Sequence, residues 1–262
     1  MTIIKHELKQ NIKTLLIWSI ILGGLTFSFM LMFPSIKGQM GDMVKSYANM
    51  GSFSAAFGID KINFATAMGF YGIEAGTMIA IGGAMFSAML GSVALSKEES
   101  NHTAEFLLTH PISRVRVVAE KLISVILQVT IFNIICFCCA IISFAIIGED
   151  IEIKNLILFH IAQLIMHLEI MCICFAISAF GRHANVGMGL GFAAILYFMN
   201  LFVNASSQAK SLKYVTPFQY SDAAEIFPSG HLDSLLVGIG VGIAIISICI
   251  AFFKYTRKDI AV

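Results

Sequence analysis

Six apolar runs, each close to twenty residues long, alternate with polar stretches along the chain: residues 14–33, 73–95, 122–147, 156–180, 186–203 and 234–253. A hydrocarbon core about 30 Å thick is crossed by about twenty helical residues, so each run predicts one transmembrane helix. Small residues recur inside them. Gly83, Ser87 and Gly91 are spaced four apart in the second run, Gly187, Gly189 and Gly191 crowd the fifth, and Gly238 and Gly242 repeat the spacing in the sixth. Such ridges let helices approach closely in a membrane, and packing within the chain is the expected use.

The polar stretches differ in character. Residues 1–13 place Ile4, Leu8 and Ile12 on one side of a helix and Lys5, Lys9 and Lys13 on the other, the pattern of a basic helix lying in the membrane interface. Residues 35–71 and 204–233 are rich in Gly, Ser, Pro and aromatics and too broken to span. The densest charge lies in 97–121, KEESNHTAEFLLTHPISRVRVVAEK. Ala104, Leu107 and Leu108 share one face of a short amphipathic helix there. Pro111 ends it, and Ser113 is placed to cap the next helix. A short helix lying between two spans acts as a lever, because force on it moves both.

Composition agrees with this pattern: 58% of the 262 residues are hydrophobic and only 13% charged, with mean hydropathy +0.85. A soluble domain carries about 25% charged residues, so the chain reads as an all-α integral membrane protein of six spans. The net charge of +1 excludes a nucleic-acid binder, which needs a concentrated basic face. All six cysteines lie in apolar runs and read as soft packing residues, Cys136 and Cys139 included despite their Cys-x-x-Cys spacing. No small-residue cleavage pattern follows the first run, which reads as an uncleaved span. Lysine and arginine set the orientation. Eleven of them lie on the side of the termini and the 97–121 loop against six on the other, so both termini are expected in the cytoplasm.

Catalytic patterns are scarce. The sequence contains no GxxxxGK[ST], HExxH or GxSxG, so nucleotide hydrolysis by this chain is not expected, and neither a metal site nor a cofactor is called for. His160, Gln163 and His167 share one face of the fourth span, with Glu169 pointing elsewhere. Ionisable groups inside a membrane are costly, which makes these four a candidate intramembrane polar site, with interhelical hydrogen bonding as the plain alternative. A secondary transporter built on these groups, or a membrane-embedded enzyme, are the rival functions; neither inverted repeats nor converging acids support them.

The loop carries a resemblance. Glu98-Glu99, Thr103-Ala104-Glu105-Phe106-Leu107-Leu108, Pro111-Ile112-Ser113-Arg114 and Lys121 resemble the cytoplasmic loop of ABC-2 type permeases, membrane subunits of bacterial ABC exporters. The FGI and GFY elements before the second span and TPFQY before the sixth are similar too, so the resemblance covers the whole chain as a single permease domain. Ser100-Asn101-His102 departs from relatives that have glycine near the threonine. The resemblance implies a type V exporter fold with an N-terminal interfacial helix and a coupling helix between spans two and three. It implies a cytoplasmic ABC ATPase as partner, which would bind the ATP and Mg, and a second permease subunit in the bacterial cell membrane. Glu98, Glu99, Thr103, Glu105, Leu107, Leu108, Pro111 and Arg114 would couple to the ATPase. The cargo would be amphiphilic or hydrophobic: a drug, antimicrobial peptide or lipid-like molecule.

Overall fold

The first apolar run and the basic stretch before it fold together as one helix, Thr2–Ile36, in a computed structural model that describes residues 2–41, 50–103 and 112–258. Its 35 residues extend about 52 Å at 1.5 Å each, well beyond a hydrocarbon core about 30 Å thick. The helix does not break between residues 13 and 14. Its buried face there also differs from the expected one. Ile3 and Glu7 turn inward, while Ile12 is 49% exposed. Glu7 is drawn in by two lysines, and an outward isoleucine at a membrane needs no protein cover. Pro34 lies inside the last turns rather than ending the helix, and a 3-10 turn, Lys37–Gln39, follows. Its ring removes the hydrogen bond to the Met30 carbonyl, but only two helical residues follow, so any bend displaces little of the helix.

The second span starts earlier than its hydropathy suggests. Thr66 caps Ala67–Phe70 by accepting from Gly69 N at 3.0 Å, the chain widens into a π turn at Tyr71–Ala75, and Gly76–Val93 completes the span. Span three is Arg114–Ile147, capped by Ser113 as its position predicts, and ended by Gly148 at φ 69°. Spans four, five and six are Ile153–Phe180, Val186–Ala205 and Ser234–Arg257. Asn185 and Asp233 side chains cap the last two, satisfying amides that a helix start leaves open. No strand occurs among the described residues.

Spans two and four form the centre, 67% and 61% buried over their most apolar windows, against 22–39% for the other four. Span one lies along span three, span five along span two, and span six along span four. The glycine ridge of span two faces span four. A methyl group added at Gly83 would sit 2.3 Å from the His167 ring, and one at Gly91 would sit 2.5 Å from the Met171 carbonyl. A methyl group added at Gly189 of span five would sit 2.6 Å from Ala88 O. The ridge in span six is not Gly238 and Gly242, which have open space beside them; Gly240 between them meets Glu169. Large apolar side chains such as Ile20, Ile195, Phe198, Ile246 and Phe253 point outward, as lipid-facing residues must.

The stretch before span six is folded rather than loose. It forms 3-10 helices at Ser207–Tyr214 and Pro217–Ser221 and a helix at Ala223–Ser229. All five residues of Pro217–Ser221 are buried. Tyr220 donates its hydroxyl to Glu169 Oε2 at 2.7 Å, at a point about 24 Å along span four from Ile153. This segment therefore re-enters the bundle to mid-depth.

Candidate functional site

Where the charged loop joins the bundle, its acids turn inward to a cluster of ion pairs. Lys121 is 1% exposed, and each of its three ammonium hydrogens has an acceptor: Glu7 Oε1 at 2.9 Å, Ala94 O at 2.9 Å, and Glu98 Oε1. Lysine has three donors, so its capacity is filled. Lys97 closes the ring by pairing with the other oxygen of Glu7 and donating to Gln10 Oε1 at 2.8 Å. Glu7 is thus held by two ammonium groups from two other segments.

A second knot lies beside the first. Glu99 Oε1 is 2.7 Å from Lys258 Nζ, an ion pair whose angle falls short of a hydrogen bond, and Lys258 also donates to Gly181 O at 2.6 Å. Arg114 donates to Lys258 O at 2.5 Å and Thr256 O at 3.4 Å, covering carbonyls that the end of span six leaves open. Arg116 pairs with Glu120 at 2.8 Å, and Glu120 accepts from Ile3 N at 3.1 Å. These contacts join the first turns of span one, the end of span two, the start of span three, the turn after span four and the end of span six. The loop is gripped on both flanks.

Glu98, Glu99 and Arg114, which the resemblance would have couple to the ATPase, anchor the loop to its own chain. The reason is local. Lys97–Ser100 forms one helical turn lying against the bundle, and a carboxylate turned inward there finds ammonium groups already in place. Thr103 is exposed, with its amide donating to Glu98 O at 2.8 Å. Glu105, Leu107, Leu108 and Pro111 lie outside the described residues. His102 ends the turn at φ 55°, a left-handed conformation that side chains disfavour. Glycine adopts it without that cost of about 1–2 kcal/mol but loses about 0.5–1 kcal/mol of chain entropy. His102→Gly is expected to leave thermal stability unchanged or raise it by up to about 1 kcal/mol, read by thermal unfolding in detergent.

The four polar residues of span four go to separate partners. His160 shares a hydrogen bond with the Tyr71 hydroxyl at 2.8 Å, and Gln163 donates to Ser221 O at 3.0 Å. His167 sets its ring nitrogens 3.1 Å from Asn133 Oδ1 and 3.2 Å from Ala80 O, bridging spans two, three and four. Glu169 holds Tyr220. No two of the four hydrogen-bond one another among the described residues. No group of three metal-ligating side chains gathers among those residues.

Tyr71 and Tyr220 are the functional-looking residues that the sequence reading did not single out. Their GFY and TPFQY settings are visible in the chain, but only the fold reveals their partners. Residues 1–260 match the family model described as ABC-2 family transporter protein. No curated protein matches the chain.

Proposed function

The chain belongs to the ABC-2 family of transporter proteins, and from that premise we propose that it is the permease subunit of an ATP-driven exporter in the bacterial cytoplasmic membrane. Permeases of this family are membrane components that pair with an ATPase subunit. In this reading the ATPase docks on residues 104–111, both termini are cytoplasmic, and a second permease completes the pathway. The cargo is amphiphilic or hydrophobic and leaves the cell.

One observation carries the reading: the loop that would receive the ATPase is tied by ion pairs of Lys97, Glu98 and Glu99 to spans one, three and six. A push on an unanchored loop would be lost in its own flexing. A push on this one reaches those spans directly, because its flanks are fixed through Lys97, Glu98, Glu99 and Arg114. The rival of a secondary transporter draws less support, since its candidate residues in span four each have a partner within the bundle.

Affinity purification in mild detergent tests the proposal: an ATPase with a phosphate-binding loop should accompany the wild-type chain. Glu105→Lys and Leu108→Asp should each reduce that recovery at least about tenfold, since truncating a desolvated interface group can cost about 2–5 kcal/mol of binding. Membrane insertion and thermal stability of the isolated subunit should stay unchanged. Normal recovery of the ATPase by both variants would show that this loop is not where it docks.

A further inference from the structure

Between the outer ends of spans five and six and the re-entrant segment lies a cavity of about 440 Å³ that the export reading does not use. Its wall holds three ammonium groups, from Lys61, Lys210 and Lys213, against two carboxylates, Glu225 and Asp233. Both carboxylates are engaged. Glu225 Oε1 pairs with Lys61 at 2.6 Å, and Asp233 Oδ1 accepts from the amides of Leu235 and Leu236 at the start of span six. Burial is the largest single influence on Lys61 and works against its charge, but the hydrogen bond to Glu225 and the charges of Glu225, Asp222 and Asp60 together outweigh it and hold its pKa above the usual lysine range. Lys210 and Lys213 make no ion pair among the described residues, although Lys213 lies over the Tyr214 ring.

Two further features narrow the occupant. Gln219 on the same wall is 8% exposed, and its Oε1 is buried without a hydrogen-bond partner, so it lacks a donor. A buried unsatisfied acceptor is costly and is normally met by a ligand or water. Val203, Ile226 and Leu236 supply an apolar side. The neighbouring Phe202 and Leu235 face outward, so the cavity lies at the edge of the lipid-facing surface.

We propose that this cavity binds the headgroup of an anionic phospholipid bearing hydroxyls, of the glycerol-phosphate type. The phosphodiester lies at Lys210 and Lys213, a headgroup hydroxyl donates to Gln219 Oε1, and the first acyl carbons meet Val203, Ile226 and Leu236. The site stands independently of the export reading. It is a binding site for membrane lipid, whether or not the chain meets an ATPase.

The test uses the full chain in nanodiscs of mixed phosphatidylglycerol and phosphatidylcholine, with retained lipid counted by native mass spectrometry. A lysine near an anionic lipid contributes about a fivefold preference, so the pair should favour phosphatidylglycerol by about 25-fold. Lys210→Gln/Lys213→Gln should bring retention of the two lipids near parity, and Lys210→Arg/Lys213→Arg should keep the preference. Gln219→Leu should lower retention of phosphatidylglycerol but not of phosphatidic acid, which lacks the headgroup hydroxyls. Equal retention of both lipids by wild type, or an unchanged preference in the double glutamine variant, would overturn the proposal. Displacement of the lipid by low-millimolar glycerol 3-phosphate would overturn the assignment to a lipid in favour of a free phosphate ester.

Discussion

Lys121→Met is expected to destabilise the isolated subunit by about 3–5 kcal/mol, the cost of removing one partner from a buried ion pair. The penalty arises from what stays behind. Glu7 keeps Lys97 but loses half its compensation, Glu98 loses its only ion-pair partner among the described residues, and the Ala94 carbonyl loses a donor. Methionine matches the lysine stem in length, so lost packing contributes little. Lys37→Met removes the partner of Glu149 at an exposed pair, where about 0–1 kcal/mol is expected. Replacing Glu7, Lys97, Glu98 and Lys121 together with apolar residues should recover much of the loss, because buried ion pairs often break even against hydrophobic packing. Thermal unfolding in detergent, with folded yield by size exclusion, reads all three. Equal stability of Lys121→Met and Lys37→Met would mean that water reaches the cluster.

Gly91→Leu is expected to prevent the chain from folding correctly, with the recovered monodisperse fraction falling several-fold. Overfilling a packed core costs about 1–3 kcal/mol when side chains can yield, and more when they cannot. Here the obstacles to the first added carbon are the Met171 carbonyl at 2.5 Å and the Phe175 amide at 3.0 Å, both in the backbone of the central span four. Gly242→Leu adds the same atoms where nothing lies within 4 Å, and it should be tolerated. Leu90→Ile keeps volume and should cost under about 1.5 kcal/mol. If Gly91→Leu yields as much folded protein as Gly242→Leu, spans two and four are not packed as described.

These two sites also mark how far the sequence could be read. Span count, and the cap that Ser113 sets on the helix of span three, were legible because they are local: an apolar run of the right length, and a capping side chain just after Pro111. Glycine spacing gave the period of a packing ridge but not its phase. That sufficed for Gly83 and Gly91 and failed for Gly238 and Gly242, where Gly240 makes the contact. Charge in the loop was legible as polarity only. Glu7, which both lysines share, lies 90 positions from Lys97 and 114 from Lys121, and no local pattern indicates pairs so distant. The burial of Pro217–Ser221 was likewise hidden, because Gln219, Tyr220 and Ser221 look like surface residues until Met166, Gln163 and Glu169 are set against them.

The π turn at Tyr71–Ala75 has a consequence for comparing this chain with its relatives. A turn wound this way accommodates one residue more than an α-helix over the same rise, so it acts as a one-residue insertion inside a continuous span. Each helical residue adds about 100° of rotation. A relative that lacks the extra residue, aligned without a gap here, would have its counterpart of Tyr71 on a neighbouring face, away from the position of His160. It would also shift the small positions Gly72 and Gly76, which in this chain admit Phe227 and Phe159. Alignments of the family therefore need a permitted gap between residues 70 and 76. Without it, a difference in helix winding would be mistaken for substitution of the residues that meet the re-entrant segment and span four.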